Sequence, residues 1–168
     1  ATEALERIYG NAENWKELIP VLRRKLEVLS DTDEIIATHI RIGEIFEENL
    51  ADYQAAVEEY RQALDLNESY TVALKGLERL YQKLERWQDL MDILEIQLQY
   101  AESGRERIEL LAQIAEMLEK EFLKPDQAAS RYEESLEIDI KQWDILEALE
   151  RIYRQTVRWQ DLVSTLER

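Results

Sequence analysis

The chain has one histidine, no cysteine and four glycines, so it holds little of what imidazole or thiolate metal sites, histidine-assisted nucleophiles and phosphate-cradling loops are built from. His39 stands between Thr38 and Ile40 with no glutamate three residues before it. The spacings that build di-iron or zinc sites on a helix are therefore absent, and the residue reads as a structural or surface histidine. A single histidine supports no Ser–His–Asp grouping, and glycines this scattered build no phosphate-cradling loop. Carboxylates such as Glu116 and Glu119 are spaced to share a helix face, but in so acidic a chain they read as a solvated face and not an acid–base dyad. What does recur is arginine: Arg7, Arg79 and Arg151 are separated by two equal steps of 72 residues (79 − 7 and 151 − 79).

The arginine step belongs to a repeat of the whole chain. Ala4–Tyr9 reads ALERIY, Gly76–Tyr81 reads GLERLY and Ala148–Tyr153 reads ALERIY again. Trp15, Trp87 and Trp159 keep the step, as do Leu18, Leu90 and Leu162, and Leu22, Leu94 and Leu166. Aligned without a gap, residues 1–96 and 73–168 are identical at 30 of 96 pairs. Self-similarity at this level marks a tandem array. Because the three tryptophans keep step with core leucines, they read as packing between helices. Trp143 breaks the step, its equivalent being Thr71, and it is the better candidate for an exposed anchor.

Each 72-residue unit divides into two helix pairs. Ile36, Ile40, Ile42, Ile45 and Phe46 recur at the three- and four-residue spacing of one helix face, and after a polar break at Glu48–Asp52 the pattern resumes with Ala56, Tyr60, Ala63 and Leu64. Their counterparts are Ile108, Ile114 and Leu118, a break at Leu123–Pro125, then Ala128, Tyr132 and Leu136. Pro125 fits the first turn of a helix, where its missing N–H has no partner to lose. Asn14 with Glu17 and Asp31 with Glu34 have the spacing of capping boxes. Gly104 sits where a helix ending near Ser103 would take a left-handed residue. Pro20, inside the Trp15–Leu29 pattern, should kink that helix or delay its start.

Ile42, Gly43, Phe46, Tyr53, Ala56, Tyr60 and Ala63 resemble the tetratricopeptide repeat, and Ile114, Ala115, Leu118, Ala128 and Tyr132 keep its small residues and one aromatic. The turn between the helices of this pair is one residue longer than the family's usual spacing. In the alternate pair Glu78 and Leu90 stand where the family has Gly and Ala, which implies a wider packing there. The resemblance implies an all-α, right-handed α-α superhelix of about ten antiparallel helices. It also implies a single repeat domain over residues 1–168, with pairs near 1–30, 33–66, 69–102, 105–138 and 141–168. The first helix begins at Ala1 without a cap, and the last stops at Arg168 after Leu162 and Leu166. Since solenoids end in polar capping helices, the array reads as a piece of a longer one, or as one whose ends pack on another copy.

Composition narrows the function further. Twenty-one basic residues stand against 37 acidic, a formal charge of −16. Nucleic-acid binding needs clustered cations to displace phosphate counterions, and anionic membrane surfaces repel the same sign. No apolar run approaches the ~18 residues of a membrane span. Absence of cysteine leaves the compartment open, with the cytoplasm as the default. The expectation is a non-enzymatic, cofactor-free and metal-free scaffold for a protein or peptide partner. The resemblance implies that the first helix of each pair lines a concave groove, which by register carries Arg7, Lys75, Arg79 and Arg151 on one set of rungs and Glu44, Glu47, Glu116 and Glu119 on the other. Those rungs either contact the partner or satisfy one another across neighbouring helices. The alternatives are self-assembly through the terminal helices, or a regulatory domain of a larger protein.

Overall fold

The computed structural model describes residues 2–167, and among them every regular element is helical. The side chains of Thr2, Glu3 and Leu166, and the chain ends at Ala1 and Arg168, lie outside the described residues. So does the expected register of Leu166 with Leu22 and Leu94.

Two compact units divide the chain between Glu85 and Arg86. The first holds α1 (Thr2–Asn11), α2 (Trp15–Leu26), α3 (Thr32–Glu44), α4 (Tyr53–Leu66) and α5 (Thr71–Lys83). The second holds α6 (Trp87–Tyr100), α7 (Gly104–Lys120), α8 (Pro125–Ile138), α9 (Trp143–Gln155) and α10 (Trp159–Leu166). Within each unit every helix packs on its neighbours in sequence, the arrangement expected of a repeat array.

The turns keep the 72-residue step without using glycine. Glu13, Glu85 and Val157 have positive φ, as do Ala51 and Leu123, while no glycine does. After two of these residues the chain closes in Schellman fashion: Asn14 N–H reaches Tyr9 C=O and Arg158 N–H reaches Tyr153 C=O, both at 2.9 Å. Trp15, Trp87 and Trp159 then open α2, α6 and α10.

The extra residue in the other type of turn is absorbed by the backbone. Ile45–Asn49 continues α3 as a π-helical turn, with Leu50 N–H bonded to Ile45 C=O at 3.1 Å. The counterpart Phe122 N–H reaches Met117 C=O at 3.2 Å, also five residues back. A π turn is the local form a one-residue insertion takes inside a helix.

Several local expectations need correcting. Gly104 is the first residue of α7 and not a left-handed cap; Ser103 caps that helix by accepting the Glu106 N–H at 3.1 Å. A serine followed three residues later by glutamate is a start signal, and it prevails over the glycine. Asp31 caps α3 as its spacing predicts, accepting Glu34 N–H at 3.0 Å, but the Asn14 side chain makes no cap bond. Pro20 lies inside α2 and does not delay its start, which stays at Trp15. The polar break after α3 shrinks to Leu50–Asp52, because Glu48 and Asn49 belong to the π turn.

The core of the first unit is organised around Tyr60, 1% exposed. A Cβ on Gly43 of α3 or on Gly76 of α5 would stand 2.8 Å from opposite edges of its ring. Both positions must therefore be glycine for α4 to seat that aromatic between its neighbours. Leu18, Ile19 and Leu22 of α2 pack with Ile42 and Ile45, with Trp15 against them. In the second unit the register places Ala115, Tyr132 and Ala148 at the equivalent positions, all buried.

Candidate functional site

Ion pairs tie the first helices of successive pairs edge to edge. In the first unit the Arg41 guanidinium on α3 donates to Glu6 of α1 at 2.5 Å. Arg79 on α5 donates through Nε and Nη2 to both oxygens of Glu47, at 2.7 and 2.8 Å. In the second unit Arg151 on α9 engages Glu119 of α7 through Nε at 3.2 Å and through Nη2 at 2.9 Å. The two later pairs are one motif repeated at the 72-residue step.

All three pairs share an asymmetry. The carboxylates keep 12–17% of their side-chain exposure, while the arginines keep 46–58%. The anion is sunk and the cation faces outward. Glu47 is held further by the Tyr60 hydroxyl, which donates to Oε2 at 2.9 Å. The Arg79 hydrogen bonds hold the Glu47 carboxyl below its ordinary pKa, against the opposing pull of burial. Burial, and then the Glu47 bond, push the Tyr60 hydroxyl above its ordinary range. Arg79 spends two of its five N–H donors on Glu47, so the rest of the fork is fixed in place and free to meet a second acceptor.

The remaining predicted positions are distributed as follows. Arg7, Lys75 and Glu44 are exposed on α1, α5 and α3. The Glu44 carboxyl is raised above its ordinary pKa, first by burial and then by Glu48. Glu116 pairs with Lys120 within α7. The structure thus joins Glu47 with Arg79 and Glu119 with Arg151. It puts Glu6 and Arg41, which the rung reading did not include, into the same series.

His39 is half-buried and shares a hydrogen bond of 2.8 Å between its Nδ1 and Glu59. Glu59, 7% exposed, also takes Arg23 of α2 at 3.0 Å. At the equivalent place in the second unit Arg131 of α8 meets Glu95 of α6 at 2.5 Å. The pairing is kept while its sign is inverted, and Leu111 replaces the histidine. Among the described residues no group of three or more His, Cys, Asp or Glu could hold a metal ion. No helix among them is long and apolar enough to cross a membrane.

The profile of the tetratricopeptide repeat family matches residues 1–36 and 73–108, two segments one repeat step apart. Over those two segments the chain matches the tetratricopeptide repeat. Solved structures extend the likeness to the whole chain. MamA (AMB-1) is 11% identical, with 99% of this chain and 86% of that chain covered at a TM-score of 0.58. A putative kinesin light chain from Podosopora anserina, described as having nearly identical TPR-like repeats, is 18% identical, with 99% and 90% covered at 0.55. A tetratricopeptide repeat protein from Parabacteroides merdae is 13% identical, with 99% and 63% covered at 0.61. At these identities the likeness shows the fold, an all-α tetratricopeptide-type repeat. No curated protein matches the chain. Tetratricopeptide repeats in general are protein-interaction scaffolds without catalytic activity of their own.

Proposed function

We propose that this tetratricopeptide array holds a segment of a partner protein against the first helices of its pairs. In the first unit the contact residues are Arg7, Glu44, Glu47, Lys75 and Arg79. In the second they are Glu116, Glu119 and Arg151. The observation that carries the proposal is the repeated sunk-carboxylate, outward-arginine pair. A cation oriented by a buried anion is pre-organised, so a partner carboxylate meets it without further ordering of the side chain. In a chain of charge −16, such a pair in each unit offers an outward cation to an acidic or C-terminal segment. Glu44, exposed beside it, would take a basic side chain of the same partner.

A peptide-display selection tests this reading when run beside the variant Arg7→Gln/Arg79→Gln/Arg151→Gln. Glutamine still donates a hydrogen bond to Glu47 or Glu119, so melting curves should show a folded variant. Enriched peptides carrying carboxylates, lost on the variant, support the site. Peptides that bind both forms equally place the site elsewhere.

A second reading rests on exposed apolar residues at the first and last helices. Ile8 is 56% exposed where Leu80 and Ile152 of the same register are fully buried, and Val163 is 53% exposed where Ile19 is 8%. Self-association through these faces would give a mass that rises with concentration and falls in Ile8→Glu/Val163→Glu. A constant monomer mass would dismiss it.

A further inference from the structure

The second unit contains a crevice of about 350 Å³ between α6, α7 and α8, at the lower end of the ~300–1,000 Å³ typical of binding pockets. Met91, Leu118 and Phe122 form its apolar wall, with Glu95, Arg131 and Lys124 among its polar lining. Two cations face one carboxylate there, the reverse of the balance in the chain as a whole. Glu95 and Arg131 satisfy each other at 2.5 Å, and Arg131 also reaches Glu134 at 3.2 Å.

Lys124 is different. Its ammonium lies 5.7 Å from the centre of the Phe122 ring, and it enters no ion pair among the described residues. Its register equivalent, Asp52, caps α4 by accepting the Ala55 N–H at 3.1 Å. Lys124 stands at the same N-cap position of α8 and makes no side-chain cap bond. The second unit thus forgoes a cap and sets a cation at the positive end of a helix dipole, a local choice that helix stability does not favour. Departures from local preference of this kind concentrate where a residue serves something other than the fold. The first unit shows the contrast: Ile19, Phe46 and Leu50, equivalent to Met91, Leu118 and Phe122, belong to one packed cluster.

We infer that this crevice is a second docking site, which takes an aliphatic or aromatic side chain of a partner protein while Lys124 meets a carboxylate beside it. The apolar wall supplies the burial, and the unpaired ammonium sets the preference for an acidic neighbour. The site shares no residue with the Arg79–Glu47 or Arg151–Glu119 pair, and either proposal can fail without the other.

Capped tetrapeptides titrated into the isotope-labelled full chain test the assignment by NMR. One carries leucine followed by aspartate between two serines, the second has asparagine for the aspartate, and the third has serine for the leucine. The first should shift the amides of Met91, Leu118, Phe122 and Lys124 at millimolar concentration. Its affinity should fall roughly threefold in the asparagine version, the size of one exposed ion pair, and equally in Lys124→Gln, with little binding by the serine version. Arg79→Gln/Arg151→Gln should leave all three results unchanged. Shifts at these amides that ignore both the aspartate and Lys124, or no shift there at all, would overturn the inference. Lys124→Gln removes no buried contact, so it remains informative where Phe122→Ala fails to fold.

Discussion

Glu44 and Glu47 lie three residues apart and are shifted in opposite directions, and that contrast is measurable. Arg79 depresses Glu47. Its contribution to stability is therefore present above the carboxylate's unfolded pKa and is lost as pH falls through the lower folded value. Burial raises Glu44, so stability declines as pH rises from its unfolded value through the folded one, and the penalty stays above that. Accordingly Glu47→Gln should lower the melting temperature at pH 7 and Glu44→Gln should raise it. Both differences should shrink as pH falls, that at Glu44 below its unfolded value and that at Glu47 only as pH passes through its lower folded value. Thermal melts of the three proteins across that range would show it, and shifts of the same sign would be inconsistent with the geometry. At Gly43 two effects compete. Alanine in a helix interior gains about 0.5–1 kcal/mol over glycine, while forcing an atom against a packed ring costs about 1–3 kcal/mol. With Tyr60 at 2.8 Å, overpacking wins, and Gly43→Ala should lose about 1 kcal/mol in urea unfolding. The arginine rung was legible from its constant step. The outward tilt of each pair was not, because the sequence marks both partners as charged and says nothing of which one packing will sink.

At the scale of elements, the helices and their pairing follow from the apolar spacing, whereas the turns were largely hidden. Sequence reading expects glycine where the chain turns left-handed, and here Glu13, Ala51, Glu85, Leu123 and Val157 do it instead. The register repeats, but its residue types carry no turn signature, and Gly104 pointed to the wrong place. Val157 is the most strained of these, being β-branched. Since it is 65% exposed, little packing is lost on truncation. Val157→Gly should therefore stabilise the chain by roughly 0.5–1 kcal/mol, measured by chemical denaturation; a loss of stability would mean the side chain packs more than its exposure indicates. The extra residue before α4 could be counted in the sequence, yet only the backbone shows it taken up as a π turn that carries Glu47. The inverted pairs Arg23–Glu59 and Glu95–Arg131 make a further prediction at this scale. Glu95→Arg alone sets two arginines face to face, and should cost about 1 kcal/mol that Glu95→Arg/Arg131→Glu recovers. A double-mutant cycle without coupling would show that the pair is incidental.

For the molecule as a whole, a 72-residue step written into apolar, aromatic and charged positions together accounts for both units and for the outward arginine that each carries. The central claim is that the first helices, α1, α3 and α5 in one unit and α7 and α9 in the other, receive the partner. Hydrogen–deuterium exchange of the full chain, with and without a peptide enriched by display, tests this most directly. New protection in α1, α3 and α5, or in α7 and α9, that disappears with Arg7→Gln/Arg79→Gln/Arg151→Gln is the predicted result. Protection confined to α2, α4, α6, α8 or α10, or unaffected by removal of the arginines, would contradict it.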